Sequence, residues 1–539
     1  MKSNTVNEKM IFESYPLTEE LHKHKRKKIC LKFPVLNNCS HDFYLSLWKY
    51  LSNIPERFYS EKASEDIFAF LESLKEKDVV ILEEILKESD RLSLAFKSLG
   101  EINKLEFHDI DLPWFEPQRL MKFYEDHLHP AYLKLVEGVY ADLIFPISGY
   151  QLIKQGGNLE GFYVFNRVEE LKNTQYEYLT KPYNNIVRNG IAHGKVIYKQ
   201  GDIKYEDRKG NSVTLLYREF INLFDNLLDI CNGLSLGLRL FYFTNIDFIE
   251  KHHINIPRQI MIEELTEETN APAWEINECL EGETVDNRSQ LNIYVKNRVL
   301  DPLAYQYHAF RSAILAEKLV PGYDIYFIIL DSAYFKFGLI AFNGLKLKIL
   351  RTKSNYSLQD YAEALENRIL LIEPKIKLPR LFYKIITLLS SFKIIVPLKL
   401  EESKGTPKLV VDPRYTEIHR SGHHSVGKGK VIIKIDSNEP IDDLIRTNCD
   451  YIVKETVMSA RKRTKMTDVS KYLPLGYLLM HVYSEDFRIR KLKNSGLIPE
   501  LLCTIEFKRL KRIRTVDIAG GKPEIIKGFR IVWNKNAKI

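Results

Sequence analysis

A chain of 539 residues exceeds what one hydrophobic core serves, and the length predicts about three domains. A composition of 45% hydrophobic and 28% charged residues excludes a disordered chain, and six cysteines without any C-x-x-C pair give neither a zinc site nor a disulfide framework. The net charge of +8 is uneven: residues 451–539 carry 20 Lys/Arg against 8 Asp/Glu, a surplus of 12, so residues 1–450 sum to −4.

The N-terminus, Met-Lys-Ser-Asn-Thr-Val-Asn-Glu, lacks the apolar core of a signal peptide, and no run approaches the ~18–20 apolar residues of a membrane span. A reduced, cytoplasmic protein without a membrane partner is expected. A basic run, His22 to Lys28, precedes a predicted strand at Ile29–Phe33, and it is either an RNA-facing edge or a charged arm. From His41 to about Leu99 the apolar residues recur at helical spacing. Asp111 to Pro117 reads as a connector. Helices are then predicted over Gln118–Leu128 and Ala131–Phe145, separated or kinked at Pro130, with breaks at Pro146 and Gly156-Gly157.

Phe162, Phe165, Val168 and Leu171 mark another helix, and Tyr183 to His193 a further one. Tyr198 to Ser212 reads as a small hairpin or structured loop, after which Thr214 or Ser212 is placed to cap a long apolar helix starting near Leu215. Beyond residue 250 strands appear: Gln290–Arg298, Tyr323–Leu330, and Phe335–Phe342 paired with Lys346–Arg351 across Asn343-Gly344, a hairpin signal. Helices are predicted over Asp301–Lys318, from Ser357 to about Leu370, and over Asp442–Arg463. Ile394–Leu400, Lys408–Val411, Val431–Ile435, Phe507–Thr515 and Phe529–Trp533 complete the strands. The chain reads as multidomain α+β, with N-terminal and central helical regions followed by mixed α/β C-terminal domains. Boundaries are expected at 1–110, 111–250, 255–390 and 391–539.

The segment Tyr183 to Gly194 carries the chemistry. Arg188 brings a permanent planar cation, and histidine, here His193, is the residue type whose ordinary pKa lies near neutrality. Asn189 and His193, four apart, share a helix face. The stretch Arg188-Asn189-Gly190-Ile191-Ala192-His193 resembles the Arg-polar-x-x-x-His motif of the HEPN superfamily, helical proteins that include many metal-independent endoribonucleases. The resemblance covers residues 117–245 and implies an HEPN-like helical bundle over 111–250. It implies that Arg188 holds the scissile phosphate, that His193 transfers protons, and that Asn189 orients the histidine or the ribose. Toxins of this superfamily that are silenced by a partner nucleotidyltransferase commonly carry tyrosine two residues after the histidine; Lys195 stands there. The plain structural alternative is that His193 caps the helix and Arg188 makes a surface ion pair.

RNA can be cleaved without metal when its 2′-hydroxyl attacks the neighbouring phosphorus, and no cofactor is expected. One histidine cannot serve as base and acid at once, so a homodimer with a composite site is expected. RNA-binding cations are expected at Lys195, Arg461, Lys462, Arg463, Arg488, Arg490 and Arg512, interleaved with Tyr472, Tyr477, Tyr483 and Phe487. By analogy with the family, the chain is a toxic effector of anti-phage, abortive-infection defence that answers to a phage-derived trigger or regulatory protein. Two alternatives stand: a non-catalytic nucleotide- or RNA-binding module with a protein partner, and a metal-dependent nuclease around Glu500, Glu506 and Lys508. Gly422 to Gly429 imitates a P-loop, but Gly429 replaces the Ser or Thr and a strand, not a helix, is expected to follow. His419, His423 and His424 match no zinc-ligand spacing.

Overall fold

The computed structural model describes residues 16–53, 55–105, 117–271, 274–283, 287–297, 302–331, 338–351, 353, 358–371, 409–435, 439–464, 468–484, 490–492, 495–498, 501–510 and 520–534. The fold is multidomain α+β, helical at the N-terminus and sheet-bearing towards the C-terminus. Contacts divide the chain into two compact units, each discontinuous in sequence.

The first unit comprises residues 1–103, 134–181 and 230–403. It begins with the helix Pro16–Lys32, where a strand at Ile29–Phe33 was expected. The basic letters of this segment conceal burial: His22 and Ile29, seven residues apart on one helix face, both lie inside, and His24 is buried as well. Close helix packing follows from two glycines in the second half of the helix Tyr217–Thr244. A Cβ at Gly233 would lie 2.3 Å from the Ser60 carbonyl oxygen, and one at Gly237 2.3 Å from Ile67 Cγ2. Asn103 and Asn232 donate to each other in the same interior, so neither buried amide is left unsatisfied.

The strands of the molecule are numbered in chain order, the first three belonging to the second unit: β1 (Val196–Tyr198), β2 (Asp202–Glu206) and β3 (Ser212–Leu216). The first unit then holds β4 (Trp274–Glu283), β5 (Ser289–Asn297), β6 (Ile325–Asp331), β7 (Gly338–Asn343) and β8 (Leu365–Leu371), paired in that order. Only β5 and β6 run parallel, and the helix Pro302–Leu319 supplies the crossover that a parallel pair needs. Trp274, Ile293, Phe310, Ile328 and Phe342 share the core between helix and sheet.

Two expectations fail in this sheet. Asn343-Gly344 opens the helix Gly344–Leu350 instead of a hairpin: the Asn343 side chain accepts from Lys346 N at 3.1 Å, and Asn343 is extended, not left-handed. Type I′ turns need positive φ at both central residues, which Asn343 lacks. The helix expected from Ser357 to Leu370 ends at Ala364, and its second half is β8. The expected strand Ile394–Leu400 lies outside the described residues.

The second unit comprises residues 104–133, 182–229 and 404–539. Pro130 does not break the helical path that starts at Pro117; the turn before it, Tyr124–Leu128, is π-wound, a wider winding that accommodates the proline ring. Strands β1, β2 and β3 form an antiparallel sheet, in which β2 and β3 make the hairpin expected between Tyr198 and Ser212. Neither Ser212 nor Thr214 caps the long helix, because both belong to β3; the Glu219 carboxylate accepts from Leu216 N at 2.8 Å instead.

The C-terminal sheet contains β9 (Leu409–Ser421), β10 (His424–Ile435), β11 (Leu475–Ser484), β14 (Leu501–Lys508), β15 (Gly520–Ile526) and β16 (Phe529–Asn534); between them β12 (Arg490–Leu492) and β13 (Ser495–Ile498) make a separate ribbon. The order is β15-β16-β14-β11-β10-β9, antiparallel except for β10–β11, which the helix Ile441–Arg463 connects. Gly422, at φ +60°, sits in the β9–β10 turn, so the P-loop imitation is a hairpin with no helix to receive phosphates. The expected strand Phe507–Thr515 is displaced: β14 ends at Lys508 and residues 511–519 lie outside the described set.

Candidate functional site

The helix Asn185–Ala192 is fixed at both ends by its own sequence. Asn184 caps the start, its Oδ1 accepting from Ile186 N and Val187 N at 3.0 and 3.1 Å. At the other end His193 is the C-cap and Gly194, at φ +65°, takes the left-handed position. Gly194 N donates to Ile191 O at 3.2 Å and Lys195 N to Gly190 O at 2.8 Å, the paired bonds of a Schellman motif. Val187 is buried, and Gly190 presses the helix onto β2, where a Cβ would meet Tyr205 Cβ at 3.0 Å and Glu206 N at 3.1 Å. Two residues inside the motif thus anchor it, leaving Arg188 and Asn189 half-buried and His193 exposed.

Arg188 Nη1 donates to Asn189 Oδ1 at 2.6 Å, so the two polar residues of the motif form one unit. The His193 ring meets a cation from another element: Arg208 Nη2 lies 3.4 Å from His193 Nδ1. Arg208 projects from the β2–β3 turn, which Asp207 organises. One Asp207 oxygen accepts from Lys209 N and Asn211 N, the other from Asn211 Nδ2, at 2.8 to 2.9 Å. These bonds, the Asn211 side chain foremost, hold the Asp207 carboxyl below its ordinary pKa. Exposed Lys195 joins the same rim, its Nζ 3.2 Å from Asp207 O and 3.6 Å from the Glu206 carboxylate.

Beneath the sheet lies a buried aromatic layer built on His129. Its Nε2 is 3.0 Å from the Tyr205 hydroxyl and its Nδ1 3.2 Å from that of Tyr198, while Phe220 and Tyr124 meet the ring edge-on. Burial lowers the His129 pKa to about 3, so the ring stays neutral and acts as a structural bridge between helix and sheet.

The C-terminal cations fall on other elements. Arg461 donates to Leu473 O at 2.7 Å, and burial lowers its pKa. Arg463 donates to the Pro413 and Arg414 carbonyls, and Lys462 lies in the field of the Asp225–Asp229 pair. Arg490 is on β12; Arg488 and Arg512 lie outside the described residues, as do Phe487 and Glu500. Tyr477 is buried, whereas Tyr472 and Tyr483 are half-buried. Glu506 is also buried and accepts from Arg530 Nη1 at 3.1 Å. Among the described residues no group of three or more His, Cys, Asp or Glu is placed to hold a metal ion, and no helix is long and apolar enough to cross a membrane.

Reading the sequence missed Arg208, Asp207 and His129. An Asp-x-x-Gly-Asn turn was visible in the string, but which side chain it would aim at His193 was not. Neither a family model, nor a curated protein, nor a solved structure matches this chain.

Proposed function

We propose that the chain is a metal-independent, HEPN-like endoribonuclease centred on Arg188, Asn189 and His193. The observation that carries the reading is that an exposed imidazole, at the end of a helix capped at both termini, stands 3.4 Å from one guanidinium and closes the short helix that carries another. Such a site can bind a phosphate between cations and exchange a proton beside it.

In the proposed reaction a base takes the proton of a ribose 2′-hydroxyl, the 2′-oxygen forms a bond to phosphorus, and the bond from phosphorus to the 5′-oxygen breaks. An acid protonates the departing oxygen, leaving a 2′,3′-cyclic phosphate and a 5′-hydroxyl. Aimed cations stabilise the doubly charged phosphorane. Two copies of the motif, facing each other in a homodimer, would provide base and acid from separate His193 rings. Toxicity to the host cell and a role in defence against phage belong to the same proposal.

Incubation of the full-length protein with RNA, with and without chelator, tests it. Cutting that persists in chelator, gives cyclic-phosphate ends and disappears in His193→Ala supports the reading. Cutting only with magnesium, or unchanged cutting by His193→Ala, sinks it.

A further inference from the structure

In the first unit, the helix Pro16–Lys32 and the segment from Asn37 to Tyr44 border an open groove of about 730 Å³, lined by Lys23, Arg26, Lys27, Leu31, Asn37 and Asp42. We propose that it binds a nucleoside polyphosphate. The basic run His22–Lys28 is sorted by helical position. His22 and His24 are buried, Lys25 turns to Glu267 at 2.8 Å, and Arg26 is bonded to Glu268 and to the Asp42 carbonyl. Exposed Lys23 and Lys27, one turn and about 6 Å apart along the axis, face the groove.

The chemistry of the walls differs from side to side. One presents two ammonium groups beside a guanidinium already matched to an acid, which suits a chain of phosphates. The other presents the exposed Asn37 and Asp42 side chains, an amide and a carboxylate able to bond base edges and ribose hydroxyls; a carboxylate on ribose is a recurring solution in nucleotide sites. Leu31, 61% exposed, gives an apolar surface for a base. The Cys30 thiol and the Tyr44 hydroxyl, 3.3 Å apart, close the floor. A volume of this size is that of a small-molecule site.

Calorimetric titration of the full-length protein with ATP, with tripolyphosphate and with a single-stranded RNA oligomer tests the proposal. ATP is expected to bind, at least tenfold more weakly to Lys23→Ala/Lys27→Ala, and with recovery in Lys23→Arg/Lys27→Arg. Asp42→Asn is expected to weaken ATP several-fold and leave tripolyphosphate unchanged. Both lysines are exposed, so thermal melts of the variants should match the parent. Absence of ATP binding, or equal binding by the double alanine variant, overturns the site. Tripolyphosphate binding as tightly as ATP, with no effect of Asp42→Asn, overturns the nucleoside part; RNA binding that alone depends on the lysines replaces the ligand with a nucleic acid.

Discussion

The Arg208 guanidinium and the His193 imidazole meet at 3.4 Å through His193 Nδ1. Arginine can only donate, so Nδ1 is the acceptor and the neutral ring carries its proton on Nε2. That tautomer turns its N–H away from the guanidinium, where it can donate a hydrogen bond to a phosphate oxygen. A phosphate arriving at the rim would compete for Arg208 and free Nδ1.

The expected outcome for Arg208→Ala is a loss of RNA cleavage of at least about tenfold, with partial recovery in Arg208→Lys. Asp207→Ala should reproduce much of the loss, because the three hydrogen bonds to Asp207 build the turn that carries Arg208. Single-turnover cleavage assays measure both. A fully active Arg208→Ala enzyme would make the contact incidental.

Gly190 and Gly194 serve the motif in different ways, and substitutions separate them. Alanine at Gly190 drives a methyl to 3.0 Å from Tyr205 Cβ and 3.1 Å from Glu206 N, where backbone must move, so a cost of about 1–3 kcal/mol is expected. Alanine at Gly194 meets open space but must hold φ near +65°, for about 1 kcal/mol. Denaturant unfolding curves compare the two. Equal costs would mean that packing of the helix on β2 contributes little.

Much of this scaffold is readable from the string. The helices Pro302–Leu319 and Ile441–Arg463 and the strand β6 follow from local periodicity or a continuous apolar run, and the motif helix carries its cap and terminating glycine within a dozen residues. What escapes depends on distant contacts. Asn343-Gly344 is an ordinary hairpin signal until Tyr323 O, which would lie 1.9 Å from a Cβ at Gly344, enters the picture. Ile29 to Phe33 looks strand-like because His22, buried on the same helix face as Ile29, reads as charge. The carbonyl partners of Arg461 and Arg463, at Leu473, Pro413 and Arg414, likewise come from other elements and are not legible in the string.

The pH dependence of stability should report on buried histidines. His129, His22 and His308 are each lowered to about 3 by burial foremost, against 6.5 for an exposed ring. Below 6.5 the unfolded chain therefore binds protons that the folded chain refuses. Each ring's contribution is fully present above pH 6.5 and is lost as pH falls towards 3, with a slope of up to about 1.4 kcal/mol per pH unit. Unfolding free energies at pH 7.5, 6 and 5 test this. His129→Phe should flatten the profile even though it lowers stability at pH 7.5 by stranding the Tyr198 and Tyr205 hydroxyls; an unchanged slope would mean that His129 does not titrate in this way.

Lys471 and Asp225 make the last case, a buried cation set between acids. The Lys471 side chain is fully buried, and its Nζ lies 4.0 Å from Asp225 Oδ1, joining the segment before β11 to the long helix that follows β3. Desolvation and then the Asp225 charge, one turn away, raise Asp229 well above the ordinary carboxyl pKa, with Lys471 and Lys462 pulling the other way. A carboxyl raised on folding binds its proton more tightly in the native state, so its contribution favours the fold at low pH and is lost as pH rises through its folded pKa. At neutral pH, Asp229→Asn removes that liability and should stabilise by about 1 kcal/mol. Lys471→Met leaves the two acids without their buried cation and should destabilise by about 3–5 kcal/mol. In Lys471→Met/Asp229→Asn the two effects should fall short of additivity, because one charge then remains where two repelled. Denaturant titrations of the three variants at pH 7 decide the matter, and a destabilised Asp229→Asn would show that the carboxylate is a wanted partner of the lysine.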